Sequence, residues 1–411
     1  MNYSRLFGKT LRDDPKDEVS INAKLLTRGG FIRKELAGVY NFLPLGLRVL
    51  NKIANIVREE MNAIHAQELL LSSLQNKASW EQTNRWDNFD ALFKIQSRHK
   101  NEYALGPTHE EVLVPLVKQF VSSYKDLPLA LYQIQTKFRD EERAKSGILR
   151  GREFLMKDLY SFHADEEDFE KYYEAVKKAY EKVFKRCGLD AIETQASGGT
   201  FSKFSHEYQV IARAGEDEII YCPDGDYSAN VEVATVKEGK ECDLGHGPLK
   251  KAKAVEVGNI FPLKTKFSDA FNLTFKDSRG NDKKVIMGCY GIGISRLMGV
   301  IAEVHNDSKG IVWPKSVSPY DMHLVHIEDP GTEPKVQGFY KKLVQSGIEV
   351  LWDDREDVSA GQKFADADLI GIPVRLVVSA RTEDKIEWKE RTSDKTELLS
   401  VGEVIDRLKA T

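Results

Sequence analysis

At 411 residues the chain is too long for one compact domain, so two or three cores are expected. A formal charge of −4 argues against indiscriminate nucleic-acid binding, which takes a broad basic surface; any RNA must be met by shape and local patches. Nothing is apolar for long enough to span a membrane, the first residues lack the apolar stretch of a secretory signal, and the cysteines at 187, 222, 242 and 289 form no disulfide framework, so a reduced, cytoplasmic protein is expected.

In chain order, the first strong signal is residues 46–64. Leu50, Ile53, Val57, Met61 and Ile64 make one stripe of an amphipathic helix, with Arg48, Lys52, Arg58 and Glu59 turned away. Leu105-Gly-Pro-Thr-His-Glu-Glu111 is a turn leading into a helical run over 110–122. Thr108 can cap that helix. Alternatively Thr108 and Glu110 point into a pocket, where a buried Glu needs a cation as partner. Strand-like runs follow at 131–143 and 152–163. A helix is predicted over 165–187, with Phe169, Tyr172, Val176, Tyr180 and Val183 at helical spacing, Asp165 as cap and Gly188 as stop. Further strand-like runs lie at 206–213, 217–221 and 283–290. The stretch 237–254 reads as a surface insertion. Strands and helices are segregated up to about residue 317, which predicts an α+β domain with a largely antiparallel sheet. From Pro319 the texture changes to βαβ: strands at Met322–His326, Glu349–Trp352 and Val374–Val378 separated by helices. Residues 1–317 and 318–411 are therefore read as two domains.

Chemistry concentrates in the hairpin. Strand alternation over Thr136–Arg143 puts Lys137, Arg139, Glu141 and Arg143 on one face, and the return strand from Arg150 carries Phe154, Met156, Asp158, Tyr160 and Phe162 on another, an apolar and aromatic wall with a single carboxylate. Burying unpaired charge is costly. The hairpin is thus either a solvated edge or a clamp for a polyanion beside a pocket for a small ring bearing an amine. Met287–Met298 adds a second signal: Gly291-Ile-Gly293 followed by Ser295-Arg296 places an arginine on the first turn of a helix, where it can hold phosphate oxygens. It is no dinucleotide fingerprint, because Arg296 stands at the third glycine and no βαβ unit surrounds it.

Phe138-Arg139-Asp140-Glu141 with its hairpin resembles motif 2 of the class II aminoacyl-tRNA synthetases, Gly288–Arg296 resembles motif 3, and Gly38–Gly46 with the following helix resembles motif 1. Gly106-Pro-Thr-His-Glu110, Ser205-His-Glu207 and Gly288-Cys-Tyr-Gly291 are similar to the bacterial prolyl-tRNA synthetase family in particular. The run Asp353-Asp-Arg355, Gly361–Asp368 and Leu369–Pro373 resembles that family's anticodon-binding domain. The resemblance implies an enzyme that activates proline with ATP and Mg²⁺ and transfers it to tRNA(Pro). It implies Arg139, Glu141 and Arg296 as catalytic residues. For ATP it implies Arg139, Glu141, Arg150 or Arg152, Phe154, Ser295 and Arg296. For proline it implies Thr108, Glu110, Arg139, Met156, Asp158, Tyr160, His206 and Cys289, the last as a packing wall rather than a nucleophile. Arg355 and Lys363 are the implied anticodon contacts, with Lys389 and Arg391 as further candidates by charge, and motif 1 implies a homodimer. A threonine- or glycine-specific relative is the alternative for substrate, and a non-catalytic tRNA-binding relative the alternative of another class. The latter typically lacks the arginines of motifs 2 and 3, which are present here.

Two departures stand out. Bacterial members commonly carry a large editing domain between motifs 2 and 3, and about twenty residues stand in its place here, too few for a domain. No editing in cis is expected, so alanyl-tRNA would need a separate deacylase. The other departure is Cys222-Pro-Asp-Gly with Cys242-Asp-Leu-Gly-His246. Paired Cys-x-x-Cys would signal zinc, but each pair has one cysteine. Asp224 or Asp226 with His246 could complete a site; a relic loop without metal is the expectation.

Overall fold

The computed structural model describes the whole chain except residues 200, 203, 226, 328–330 and 410–411. It gathers into two compact units, one of residues 36–39 and 53–300, the other of residues 1–35, 40–52 and 301–411.

The first unit is organised by a nine-stranded sheet. Its strands run in the order Phe204–Ile211, Ile192–Ser197, Ser228–Asn230, Asp217–Tyr221, Lys250–Lys264, Ile286–Gly293, Glu153–His163, Leu129–Phe138 and Gln67–Glu68. The four that matter most, 250–264, 286–293, 153–163 and 129–138, are antiparallel throughout. Phe204–Ile211 pairs with Lys250–Lys264 as well as with Ile192–Ser197, so that end of the sheet closes on itself. The helix Glu166–Arg186 forms where its periodicity places it. Asp165 accepts a hydrogen bond from the Asp168 amide, Gly188 follows at φ 76°, and Phe169, Tyr173, Val176, Tyr180 and Val183 are buried. Gly258 gives this helix its seat, since a Cβ there would come within 2.9 Å of the Phe184 ring.

Three boundaries differ from expectation. The outer hairpin strand ends at Phe138 instead of continuing to 143, so alternation does not govern Arg139, Glu141 and Arg143. Past that point the Arg139 amide bonds to the Arg152 carbonyl and the Asp140 amide to that of Ala91, and the chain leaves the ladder. The glycines of 288–293 form no turn but the strand itself, with the helix Ile294–Val304 starting directly after it. The segment read as an insertion over 237–254 gives its last five residues to the strand Lys250–Lys264.

In the second unit, Met322–His326 pairs in parallel with Val350–Asp353 on one side and Val374–Val378 on the other, with helices Glu333–Gln345 and Ala360–Ile370 as crossovers. Ile386–Glu390 and Glu397–Leu399 extend the sheet antiparallel. Sequence periodicity did not reveal that the N-terminus joins this unit. The Met1 ammonium donates to the Val350 carbonyl at 2.9 Å, and Asn2 and Ser4 both donate to Asp354.

Candidate active site

The hairpin register sets the site. Lys137 stands opposite Phe154, Gln135 opposite Met156, Gln133 opposite Asp158 and Leu131 opposite Tyr160, so these residues share one face of the sheet. A cleft opens over it. Thr108, Arg139, Glu141, Phe154, Met156, Asp158, Cys289 and Arg296 all line it.

Arg139 and Arg296, 157 residues apart in sequence, thus look into the same space. They are held differently. Arg296 is anchored by the Leu149 carbonyl at 2.8 Å, the Glu256 carbonyl at 2.9 Å and the Glu256 carboxylate at 3.3 Å. The Arg139 guanidinium lies 5.3 Å over the Phe154 ring, and its buried Nε has no hydrogen-bond partner among the described residues. Burial, and next the Arg296 charge, push Arg139 below its ordinary value. Two guanidiniums facing one cleft, one of them with no carboxylate paired to it among the described residues, are arranged to receive an anion.

Below the arginines lies a closed polar floor that the sequence reading missed. Burial and then Lys137 push His109 down to about 4, which leaves it neutral at ordinary pH. Its Nε2 stands 3.1 Å from the Ser72 carbonyl and therefore carries the proton, so Nδ1 accepts from the Lys137 ammonium at 2.7 Å. The same ammonium is 2.7 Å from Asp158 Oδ1, while Gln133 and the Tyr160 hydroxyl each donate to Oδ2 at 3.0 Å. Burial raises Asp158, but Lys137 and His109 outweigh it and hold the carboxyl below its usual value. The single carboxylate of the aromatic wall is therefore already neutralised. Lys137 lay on the face singled out in the sequence; His109 stood within the Gly106–Glu110 motif but was given no role there.

Glu110, which lies behind Thr108 and is not itself among the residues lining the cleft, also lacks a full complement, as does Glu111 at one oxygen. Glu110 is fully buried, accepts from Thr108 Oγ1 at 2.5 Å on Oε2, and its Oε1 has no hydrogen-bond partner among the described residues. Buried Arg85, which no sequence pattern announced, is 3.5 Å from Glu110 and 2.8 Å from Glu111, under the rings of Trp80, Phe89, Phe201 and Phe267. Thr108, which does line the cleft, thus serves Glu110 through its side chain and caps no helix, since His109 occupies the cap position. Burial first, and Glu110 next, push the Cys289 thiol well above its ordinary value, so it is an inert wall.

Other expected residues sit elsewhere. Tyr160 lies beneath the cleft, its hydroxyl taking the His109 amide at 3.0 Å. Ser295 is buried and accepts from the Leu155 amide at 2.9 Å, pinning the helix start to the hairpin with no face toward the cleft. His206 is bound to the Tyr173 hydroxyl at 2.8 Å and is not among the lining residues. Arg152 spends its guanidinium on the carbonyls of Glu141 and Ala37, both at 3.0 Å. Its amide bonds to the Gly38 carbonyl at 2.7 Å, and a Cβ on Gly38 would stand 2.5 Å from that of Ala144, so the glycine of motif 1 braces the motif 2 loop. Arg150 does line the cleft, in ion pairs with Glu141 at 2.7 Å and Glu216 at 2.8 Å.

In the second unit both expected anticodon residues are turned inward. Arg355 is paired with Asp353 at 2.7 Å and Asp366 at 2.9 Å beneath Tyr3, and Lys363 is buried and donates to the His326 carbonyl at 2.7 Å. Arg391 is likewise consumed, by Asp307 at 2.7 Å. Lys389 remains half-exposed, pushed below its ordinary value by burial first and then by neighbouring Arg375, with Lys309 also nearby. Cys222, Cys242 and His246 come together, each ligand atom within 4.8 Å of the others; Asp224 does not join them, and Asp226 lies outside the described residues.

Known proteins match this arrangement over the full chain. Residues 93–305 match the family described as tRNA synthetase class II core domain (G, H, P, S and T), and residues 317–411 the anticodon binding domain. The chain is 36% identical to a proline–tRNA ligase of Sulfurihydrogenibium and 34% to one of Geobacillus, with 99% and 100% of this chain and 99% of each relative covered. The alignments extend over 559 and 563 residues, so these relatives carry residues that this chain lacks. Among solved structures, a prolyl-tRNA synthetase of Cryptosporidium parvum with halofuginone and AMPPNP superposes at TM-score 0.79 with 17% identity, over 95% of this chain and 76% of that one. A Giardia lamblia prolyl-tRNA synthetase in complex with prolyl-adenylate gives 0.78 and 19%, over 94% and 77%. At that identity these two bear on the fold alone.

Proposed function

The chain belongs to the class II aminoacyl-tRNA synthetases, in the proline–tRNA ligase family, and we propose that the cleft between hairpin and helix 294–304 performs that family's reaction with the residues just described. The enzyme activates proline with ATP to prolyl-adenylate and transfers the prolyl group to the 3′ end of tRNA(Pro). No editing domain is inserted between Asn230 and Lys250, where nineteen residues stand.

The observation that carries the site assignment is the pair of guanidiniums over one cleft, one of them with no paired carboxylate among the described residues. Arg139 neutralises the α-phosphate as the proline carboxylate attacks it, and Arg296, fixed by Glu256, holds the departing pyrophosphate end. Phe154 stacks the adenine, and Arg150 helps with the triphosphate. The proline ammonium sits against Glu110 and Thr108, with Met156, Cys289 and Asp158 around the ring. Among the described residues no side chain is placed as a general base, so the rate comes from positioning and charge neutralisation. A divalent cation fits beside Arg296. Burial and then Glu256 push Glu207 up to about 8, and Asn259 donates to both carboxylates, which marks Glu207 as short of positive charge. Mg²⁺ held by Glu256 and Glu207 would supply charge to the phosphates.

Division at 317/318 into a catalytic and an anticodon-binding domain is the reading that the two motif families support. Because Arg355 and Lys363 are spent, the anticodon falls to the surface of Lys309 and Lys389. A homodimer through the region of helix Pro44–Ala63, a cytoplasmic location and a separate deacylase for alanyl-tRNA complete the proposal. No described helix is long and apolar enough to cross a membrane.

Pyrophosphate exchange into ATP, run with each of the twenty amino acids, tests it. Proline is expected to dominate, with alanine weaker by roughly 10–200-fold, the discrimination an apolar pocket reaches for small groups. Alanyl-tRNA(Pro) added to the pure protein is expected to decay only at the buffer rate. Exchange driven by threonine or glycine instead of proline would overturn the assignment.

A further inference from the structure

The segment that stands where relatives carry an insertion contains a second, unrelated arrangement. Two loops, Cys222-Pro-Asp-Gly225 and Cys242-Asp-Leu-Gly245, fold alike although twenty residues separate their cysteines in sequence. In each, the glycine amide three residues on donates to the cysteine carbonyl, at 3.0 Å from Gly225 and 2.8 Å from Gly245. In each, that glycine has positive φ, 93° and 78°, where a side chain would be strained. The cysteine amides are tied in turn, Cys222 to the Tyr227 carbonyl at 2.7 Å and Cys242 to the Gly247 carbonyl at 3.0 Å.

The two turns face each other and bring the thiols together, and His246, next after the second glycine, completes a set of three. Its Nδ1 stands 3.9 Å from Cys222 Sγ, and all three ligand atoms lie within 4.8 Å of one another. The edges of a tetrahedron drawn with metal–sulfur bonds of about 2.3 Å and metal–nitrogen bonds of about 2.0 Å are roughly 3.5–3.8 Å long, so only a small contraction is needed. Both cysteines are buried while His246 is exposed, which leaves one side open for a water or a fourth group.

The segment also needs a staple. Its own apolar cluster is Ile220, Cys222, Cys242 and Leu249, with Tyr227, Ala234 and Val236 packed against it, and its backbone is mostly turn between the strands Ser228–Asn230 and Lys250–Lys264. A core that small does not by itself fix a loop of this length.

We propose that Cys222, Cys242 and His246 bind one divalent zinc-like ion, which fastens the 222–249 segment and takes no part in aminoacylation. Two thiolates and an imidazole select Zn²⁺ over Mg²⁺ or Ca²⁺. Binding releases the two thiol protons to solvent, with no change of oxidation state.

The test begins with elemental analysis of the full chain purified without chelator, followed by chelation and titration of the reduced apoprotein with Co²⁺ alone. The expected results are one zinc per chain, intense visible absorption of tetrahedral thiolate-bound Co²⁺ saturating at one equivalent, and at least tenfold weaker uptake in His246→Ala, whose exposed side chain leaves folding untouched. Cys222→Ser with Cys242→Ser is expected to take up none, and chelation to speed hydrogen exchange over 231–249. Proline-dependent pyrophosphate exchange should stay within about twofold throughout; its loss in the unmutated protein would instead count against the catalytic reading. The proposal is overturned if reduced apoprotein gives no such absorption, if His246→Ala takes up Co²⁺ as tightly as the parent, or if the two cysteines are found as a disulfide that resists mild reduction.

Discussion

The two units use the same residue types to opposite ends. In the second unit Arg355, Arg391 and Lys363 are buried or nearly so, and each is matched: two carboxylates for Arg355, a bidentate Asp307 for Arg391, a carbonyl for Lys363. In the first unit, among the described residues, Arg139 has an aromatic face and no paired carboxylate, and Glu110 keeps an oxygen without a hydrogen-bond partner. A satisfied buried charge holds a fold together, and one left unsatisfied beside a cleft marks where a ligand can complete it. Arg85 and Arg375, away from the cleft, also keep a buried nitrogen without a partner among the described residues, so the cleft has to be part of the criterion. The comparison locates function by what is missing, which a list of arginines cannot do.

The sharpest way to break the contrast is Arg355→Ala. It strands Asp353 and Asp366, both nearly inaccessible, and is expected to cost about 3–5 kcal/mol. Thermal or urea unfolding would show this as an early transition, with proline-dependent pyrophosphate exchange intact below it. If stability is unchanged and tRNA affinity falls instead, Arg355 is an RNA contact after all and the contrast is lost.

Arg139→Ala should do the reverse. With no ion pair to lose and the repulsion from Arg296 removed, its melting temperature is expected to hold or rise slightly, while exchange drops by roughly 10²–10³-fold, the usual loss when one charge-stabilising donor is removed. A large loss of stability with modest loss of exchange would mean that Arg139 is structural.

The smallest expected effect sharpens the comparison on the acidic side. Glu207 has its pKa raised from 4.5 to about 8 by burial and by Glu256. A raised carboxyl favours the fold while protonated, so its contribution is complete below about pH 4.5 and is lost as pH climbs through about 8. Relative to Glu207→Gln, the unmutated apoprotein should therefore lose stability across that window, and Mg²⁺ with ATP should shrink the difference. Parallel stability curves for the two proteins would remove Glu207 from the cation-binding reading.

Much of this was legible in the sequence. The 3.6-residue stripes fixed the helices at 44–63 and 166–186 to within two residues, because an amphipathic helix needs its apolar face wherever it packs. Alternation on the inner hairpin strand put Phe154, Met156, Asp158 and Tyr160 on one face, and the register keeps them there. Motif order carried the family. What failed did so for one reason: a residue's role depends on partners that lie far off along the chain. Alternation could not see the ladder end at Phe138, where Arg139 bonds back to Arg152. Spacing could not tell that Ser295 would be taken by Leu155, His206 by Tyr173 or Arg355 by Asp366.

Local patterns therefore determined which segments are helix or strand, which face of each is apolar, and which chemical groups are available, since each of these is settled within a turn or two of backbone. Only the folded chain decided which charges are spent and which are left over. That is a question of neighbours at hydrogen-bond distance, and here many of the deciding neighbours stand from tens to hundreds of residues away.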